Sequence, residues 1–192
     1  WQKIPTRYLK LSPEEIKTSI EEIKKSLGEK VIILGHHYQR EDVIEFSDLQ
    51  GDSYLLSKLA SETKDAEIIV FCGVHFMAET AEILSSSKQK VILPNMAAGC
   101  SMADMASSND VIRSWNQIND MLPSKSSKKS VIPVTYMNSA ASIKSLCGEN
   151  NGIVCTSSNA NQAFEWAYQR GERILFIPDQ HLGRNTAVNY GI

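Results

Sequence analysis

Short apolar runs rich in Val and Ile alternate with longer amphipathic stretches along most of the 192-residue chain. Runs such as "VIILG" (31–35) are too short for helices and carry no polar alternation, so they predict strands that are covered on both faces, as parallel strands are. Strands that alternate with helices favour parallel sheets joined by right-handed crossovers. The predicted fold class is therefore α/β, built of three-layer parallel-sheet domains.

The alternation predicts two sets of about three strand–helix units. The predicted strands are 31–35, 67–73, 90–94, 130–138, 152–157 and 173–179, and the predicted helices are 12–30, 53–62, 78–87, 109–122, 139–147 and 159–170. Ser12 is the expected N-cap of the first helix, and Gly28 is expected to end it. We expect a first domain at 1–104, which includes the loop around Cys100, and a second at 105–192, incomplete at its C-terminus.

Composition and charge exclude several classes of function. A net charge of −2 gives no electrostatic footprint for nucleic acid or for an anionic membrane. No apolar run approaches the roughly 20 residues of a membrane helix, and the first ten residues lack the apolar segment of a signal peptide. The basic stretch "PSKSSKKS" (123–130) is predicted to be a solvated loop. The start without Met and the end at "AVNYGI" predict a longer chain.

The four cysteines form no CxxC pair and no zinc-ribbon spacing, which is typical of a cytosolic protein. Cys72 and Cys155 lie inside predicted strands, so we expect both to be buried, and Cys147 ends a predicted helix. Cys100 differs because it follows Gly99 on a loop, within "LPNMAAGCSMADM" (93–105). It is the one cysteine placed to bind a ligand.

Polar side chains follow the predicted strands, where open α/β sheets bind their ligands. The segments are "GHHYQRED", "CGVHFMAET", "PNMAAGC", "TYMNSAAS", "CTSSNA" and "PDQHLGRN". Their hydroxyls, amides and imidazoles suit a polar ligand with several negative charges. His36 and Tyr38 are a promising pair, because alternate residues of a strand share a face and His titrates near neutrality. His37 would then point away and be structural.

Each of these residues also has a purely structural interpretation. A single His after a strand is more often a structural residue than a catalyst. The segments "CTSSNA" and "YMNSAAS" can simply cap the helices that follow, and Ser139 is expected to do so. The free amides of such helix starts can equally bind anions. The residues alone leave these alternatives open.

Together, "GHHYQ", "GDSYLLS", "CGVHFMAETAEIL", "LPNMAAGCSMADM", "TYMNSAASIKS" and "PDQHLGR" closely resemble the A-type quinolinate synthase family of de novo NAD biosynthesis. The resemblance implies three α/β domains about a pseudo-threefold axis, of which this chain holds two. Each domain supplies one cysteine to a four-iron four-sulfur cluster, which makes an isolated Cys100 the expected ligand here. The cluster acts as a Lewis acid while iminoaspartate and dihydroxyacetone phosphate condense to quinolinate, phosphate and two waters.

The resemblance also implies roles for individual residues. His36 and Tyr38 match the pair that handles proton transfers, and His36 also contacts substrate. Ser53 and Ser157 match residues that hold carboxylates or phosphate. Tyr136 and Asn138 match residues beside the open iron. We expect these six side chains to line one cavity that Cys100 faces. His181 and Arg184 lie in a matching segment without an assigned role.

The family's second and third cluster cysteines have no counterpart in this sequence, so the chain alone is expected to be inactive. The implied partner is an L-aspartate oxidase or dehydrogenase that supplies iminoaspartate. The implied location is the cytoplasm, or a plastid in a plant or alga.

Two other functions stay open at this point. One is a non-catalytic α/β domain that binds a phosphorylated or dicarboxylate metabolite, which would not need Cys100. The other is an iron–sulfur or redox-sensing protein with Cys100 as a reactive thiol, which a neighbouring basic group would favour.

Overall fold

The computed structural model describes residues 3–125 and 127–192. The start of the N-terminal segment and position 126 of the predicted solvated loop lie outside this range. The chain divides after Gly99 into two compact units. Cys100 therefore begins the second unit, whereas the sequence assigned its loop to the first. The reason is local, because the Cys100 amide donates to the Asp104 carboxylate at 3.1 Å and ties Cys100 to the helix that follows.

The first unit contains a four-stranded sheet. Its elements in chain order are α1 (Pro13–Leu27), β1 (Val31–His36), α2 (Glu41–Ile44), β2 (Leu49–Gly51), α3 (Ser53–Glu62), β3 (Ile68–Cys72), α4 (His75–Leu84) and β4 (Lys90–Ile92), with short 3-10 turns at Tyr8–Lys10 and Gly28–Lys30.

The second unit contains a three-stranded sheet. Its elements are α5 (Ser101–Asp104), α6 (Ser108–Met121), β5 (Lys129–Tyr136), α7 (Ala141–Glu149), β6 (Ile153–Cys155), α8 (Ala160–Tyr168), β7 (Gly171–Ile177) and α9 (Gln180–Tyr190).

All the strand pairs of the described residues are parallel, which confirms the predicted α/β class. The first sheet has the order β2-β1-β3-β4, and Leu34 of β1 pairs with Leu49 on one side and Phe71 on the other. The second sheet has the order β6-β5-β7. Strand β2 was not predicted, because three residues carry no periodic signal. Asp48 lies directly before β2 and holds that strand beside β1, because its carboxylate accepts the Ile33 amide hydrogen at 2.7 Å.

The first core forms around β1 and β3, where Leu34, Ile69 and Phe71 are fully buried. Burial of this kind contributes roughly 1.5–3 kcal/mol per large apolar side chain. The expectation that β4 is equally buried was wrong, since Ile92 is 47% exposed. Strand β4 is an edge strand that pairs only with β3 among the described residues. Its Val91 amide donates to the Glu82 carboxylate at 3.0 Å.

The second sheet is covered by helices on both faces. Ile132 and Val134 of β5 pack with Ala163 of α8. A separate cluster joins Val111 of α6, Ile143 and Leu146 of α7, and Ile177 of β7. Consecutive residues of β7 point to opposite faces of the sheet, so Phe176 packs against the first cluster and Ile177 belongs to the second. The second unit therefore has the predicted three layers.

The predicted boundaries of the first helix are confirmed. The Ser12 hydroxyl accepts the Glu15 amide hydrogen at 3.2 Å, and the Glu15 carboxylate accepts that of Ser12 at 2.7 Å, which completes a capping box. Gly28 ends the helix with a φ of 54°, a conformation that costs little only for glycine. Among the described residues, no helix combines the length and the apolar composition of a membrane span.

Helix α9 was not predicted, and α4 begins at His75, ahead of the predicted 78. The sequence of α9 is polar and contains Gly183, so the helical spacing of apolar residues cannot be recognised in it. The helix forms because the Asp179 carboxylate accepts the amide hydrogens of His181 and Leu182 at 2.7 and 2.9 Å. Gly183 then permits close packing, since a Cβ there would lie 3.0 Å from the Phe176 ring.

Two glycines give a matched test of the packing in the second unit. A Cβ at Gly152 would meet the Pro133 carbonyl oxygen and lie 2.9 Å from that of Cys147, whereas one at Gly148 in α7 would meet nothing within 4 Å. We expect Gly152→Ala to reduce the free energy of unfolding by about 1–3 kcal/mol. Gly148→Ala should raise it by up to about 1 kcal/mol. Urea titrations followed by circular dichroism measure both, and equal effects would contradict this packing.

Candidate functional site

The six predicted site residues fall into two groups, one in each unit. The histidine cluster, at the end of β1 in the first unit, consists of His36, His37, Tyr38, Asp52 and Ser53. The tyrosine cluster, at the strand ends of the second unit, consists of Tyr136, Asn138, Ser157 and Asp179. Each group lies at the carboxyl edge of its parallel sheet, where such sheets bind ligands.

In the histidine cluster, the structure brings His36 and Tyr38 into contact. His36 is the last residue of β1 and is only 5% exposed. Tyr38 lies in the following turn and is 52% exposed, with its ring centroid 3.9 Å from that of His36. A buried imidazole is thus covered by a phenol that a ligand can reach.

The expectation that His37 points away from His36 was wrong. Their ring centroids are 4.3 Å apart, and His37 Nδ1 lies 3.2 Å from the Gly51 carbonyl oxygen. The strand ends at His36, so the alternation of side chains stops there and the His37 ring turns back toward β2. Its bond to the backbone of β2 gives His37 a structural anchor.

Ser53 completes the histidine cluster. It is the first residue of α3, and Asp52 caps that helix by accepting the Leu55 amide hydrogen at 2.8 Å. This places Ser53 Oγ 3.4 Å from His36 Nε2. His36 therefore lies within reach of both other predicted site residues of the first unit, Tyr38 and Ser53.

The electrostatics of the cluster keep His36 uncharged. Burial and, to a smaller extent, neighbouring His37 lower the pKa of His36, and Asp52 raises it slightly, so that the net pKa is about 4. At neutral pH the imidazole is therefore neutral, and both of its nitrogens are available for hydrogen bonding.

The tyrosine cluster gathers at the ends of β5, β6 and β7. Tyr136 is half-buried at the end of β5, and burial raises the pKa of its hydroxyl, with a hydrogen bond to Ser157 acting in the opposite direction. Asp179 raises that pKa further. The Tyr136 hydroxyl thus keeps its hydrogen at neutral pH and can act as a hydrogen-bond donor. Asn138, also half-buried, lies two residues beyond the strand.

A buried pair of hydroxyls holds the loop that carries Tyr136 and Asn138. Thr135 Oγ1 donates to Ser139 Oγ at 2.9 Å, and Ser139 Oγ donates to the Tyr136 carbonyl oxygen at 2.8 Å. The prediction that Ser139 caps the next helix was wrong, because Ala140 is the N-cap of α7. Both hydroxyls are fully buried. Thr135 carries no sequence signal, since it occupies an ordinary strand position.

The burial of the cysteines agrees with the expectation from the sequence, except at Cys72. Cys147 and Cys155 are buried, and burial raises the pKa of their thiols to about 12 and about 11. Cys72 is only partly buried, contrary to expectation, although burial still raises its pKa. These three thiols resist the deprotonation that metal binding requires. Cys100 is half-buried at the start of α5, outside both sheets.

Cys100 is the residue that the sequence predicts as a metal ligand. Within residues 3–125 and 127–192, no three side chains of His, Cys, Asp or Glu are arranged to hold a metal ion. A thiolate on a loop is the usual donor for an iron–sulfur cluster.

Other strand-end residues lie outside the two clusters. His75 starts α4, with Nδ1 3.7 Å from the Glu79 carboxylate on the next turn. His181 and Arg184 lie exposed on α9. The sequence did not single out Asp52 as a site residue, although an Asp directly before a helix is a recognisable capping signal.

Parallel sheets with hydroxyl, amide and imidazole groups at their carboxyl edges define both units as domains of small-molecule-binding α/β proteins. The model of the family described as Quinolinate synthetase A protein matches residues 18–191, and the chain belongs to this family.

Curated relatives agree with this assignment. The chain is 54% identical over 191 residues to a quinolinate synthase of Corynebacterium glutamicum, covering 100% of this chain and 48% of the relative. It is 57% identical over 162 residues to that of Streptomyces coelicolor, covering 84% and 40%. It is 49% identical over 191 residues to that of Halalkalibacterium halodurans, covering 100% and 51%. The chain spans about half the length of these relatives.

Acid should destabilise the protein through His36. Its pKa is about 4 in the folded chain against an ordinary 6.5, so between these values the unfolded state binds more protons. The contribution of His36 to stability is complete above about pH 6.5 and falls by up to about 3 kcal/mol as the pH approaches 4. We expect His36→Gln to remove this part of the pH dependence in urea titrations. Above pH 7 the difference in the free energy of unfolding between variant and wild type should stay constant. If this free energy fell with the same slope in both proteins below pH 6, the prediction would be contradicted.

Proposed function

We propose that the full-length protein is a quinolinate synthase that condenses iminoaspartate with dihydroxyacetone phosphate and releases phosphate and two waters. The observation that carries this proposal is the histidine cluster, in which a buried neutral imidazole contacts an exposed phenol and a serine hydroxyl. Membership of the quinolinate synthetase A family supports it. Both substrates carry acidic groups and carbonyl-type carbons, which need hydrogen-bond donors and a proton-transfer group.

In this proposal the pair of His36 and Tyr38 serves the proton transfers at the substrate carbons. Tyr38 is the more accessible of the two, because its ring is half exposed while His36 lies beneath it. A positioned acid or base of this kind accelerates proton transfer by about 10²–10⁴-fold. The isomerisation and the closure of the pyridine ring both require such transfers.

The remaining site residues hold the substrates. Ser53 and Ser157 offer hydroxyls to carboxylate or phosphate oxygens, and Asn138 offers an amide. Tyr136 donates from a hydroxyl that stays protonated at neutral pH, because burial raises its pKa. We propose that both clusters serve the same two substrates.

Cys100 would hold one iron of a four-iron four-sulfur cluster. When bound, the cluster supplies a Lewis acid that polarises a substrate oxygen. Two further thiolates would come from parts of the protein that this chain does not include, because Cys72, Cys147 and Cys155 are unsuited to ligation. The chain alone is then inactive.

The reaction also implies a supplier, because an imine of aspartate hydrolyses readily in water. We propose an L-aspartate oxidase or dehydrogenase as that partner. The cytoplasm is the proposed location, with a plastid as the equivalent in a plant or alga.

Replacement of the proposed cluster ligand tests the cofactor. In the full-length protein, purified without oxygen, Cys100→Ser should lose most of its iron and all detectable quinolinate formation, because an alkoxide is a harder and poorer partner for iron than a thiolate. Its far-ultraviolet circular dichroism should not change, since the sheets form without the cluster.

Cys72→Ser is the matched control. It places a hydroxyl in β3 and should cost roughly 1–3 kcal/mol of stability if that hydroxyl lacks a partner. Iron per folded molecule should be unchanged. Full iron content and activity in Cys100→Ser would overturn the cluster assignment. A colourless, iron-free wild type that binds dicarboxylates would favour the non-catalytic binding domain.

Removal of one phenol tests the proton-transfer role. Tyr38→Phe keeps the ring against His36 but removes the hydroxyl, and we expect kcat of the full-length enzyme to fall by about 10²–10⁴-fold. Tyr54→Phe, an equally exposed tyrosine on α3, should retain wild-type kcat. Steady-state assays of quinolinate formation compare the two, and a Tyr38→Phe enzyme with unchanged kcat would remove Tyr38 from the mechanism.

A further inference from the structure

The two ring nitrogens of His36 face different kinds of hydrogen-bonding partner. Nδ1 lies 3.4 Å from the backbone nitrogen of Tyr38, which can only donate. Nε2 lies 3.4 Å from Ser53 Oγ, which can donate or accept. The Tyr38 amide therefore requires a lone pair on Nδ1. A neutral imidazole carries one hydrogen, so that hydrogen sits on Nε2.

We infer that the Tyr38 amide holds His36 as the neutral Nε2–H tautomer, and that His36 is a hydrogen-bond donor to substrate and not the base. The inference rests on the proposed function and divides the roles of its two central residues. Nε2 already carries its hydrogen, and the lone pair of Nδ1 is engaged. His36 could accept a proton only by losing the Tyr38 amide bond, so the transfer of protons falls to the Tyr38 hydroxyl.

Burial supports the neutral form of His36 that this tautomer requires. His36 is only 5% exposed, so an imidazolium would be poorly solvated, and the pKa of His36 is lowered accordingly to about 4. Protonation would also aim the Nδ1 hydrogen at the amide hydrogen of Tyr38. A neutral imidazole that donates through Nε2 can stabilise negative charge on a substrate oxygen without titrating.

The tautomer also settles the role of Ser53. A serine is activated as a nucleophile when a histidine nitrogen accepts its proton. Here Nε2 presents a hydrogen to Ser53 Oγ, so the serine accepts from His36. The Ser53 hydrogen remains free to bind a substrate oxygen. The contact between Nε2 and Ser53 Oγ is long at 3.4 Å, so a substrate oxygen can replace the serine as the acceptor of the Nε2 hydrogen. His36 and Ser53 then both donate to substrate, and they are not a nucleophile with its base.

His37 supplies an internal contrast. Its Nδ1 lies 3.2 Å from the Gly51 carbonyl oxygen, which can only accept. His37 Nδ1 must therefore carry a hydrogen. Neutral His36 and neutral His37 are thus opposite tautomers, each assigned by one backbone group.

Nitrogen-15 NMR of the full-length protein, labelled in histidine, tests the tautomer directly. At neutral pH we expect the His36 signals, identified by their loss in His36→Gln, to show a protonated Nε2 and an unprotonated Nδ1. His37 should show a protonated Nδ1. The His36 tautomer should persist in Ser53→Ala, because Tyr38 and not Ser53 determines it. A hydrogen on His36 Nδ1, in either protein, would overturn the inference.

The activity of three variants tests the donor role. The amide nitrogen of Gln can replace Nε2, whereas that of Asn reaches the position of Nδ1. We expect His36→Gln to keep at least about tenfold more kcat/KM than His36→Asn or His36→Ala, since loss of one such donor costs about 10²–10³-fold. Equal losses in all three would show that His36 acts as a base. Absence of quinolinate formation in the wild type would instead refute the proposed function, while the NMR result still decides the tautomer.

Discussion

Both units depend on a central parallel strand that is hydrogen-bonded on each side and buried on each face. In the first unit this is β1, and in the second it is β5. The buried stretch of such a strand is mostly apolar, so most of its polar residues appear at its ends. His36 and Tyr136 are the last residues of these two strands. Two of the proposed site residues are therefore attached directly to the buried central strand of each core.

The burial that stabilises the sheets also selects which side chains can ionise. It lowers the pKa of His36 and raises those of the thiols of Cys147 and Cys155, in each case because a charged form loses its hydration. A metal ligand must lose its proton, so cysteines inside the sheets are unsuitable. Cys100 instead lies half-buried at the start of a short helix, outside both sheets. Position relative to the sheet thus separates the proposed ligand from three chemically identical side chains.

Hydrogen bonds from the backbone give the site residues their orientation. The Tyr38 amide and the Gly51 carbonyl oxygen each engage one nitrogen of a histidine, and Asp52 places Ser53 at the first turn of α3. In the second unit, the Ser139 hydroxyl donates a hydrogen bond to the carbonyl oxygen of Tyr136. These contacts involve groups that no ligand displaces, so the donors and acceptors are arranged before a substrate arrives. Preorganisation of this kind suits a reaction that removes phosphate and two waters from small, flexible substrates.

The sequence by itself determined the α/β class, the buried parallel strands, the caps at Ser12 and Gly28 and the set of polar residues at the strand ends. These follow from local patterns that a few consecutive residues express. Tertiary structure alone decided the presence of β2 and α9, the exposure of β4, the turn of His37 toward His36 and the role of Ser139. Each of these depends on particular hydrogen bonds or on pairing with another strand, and such contacts leave no periodic signal in the sequence. The tautomer of His36 is the clearest case, because the residue type permits either nitrogen to carry the hydrogen and only the folded turn places an amide against one of them.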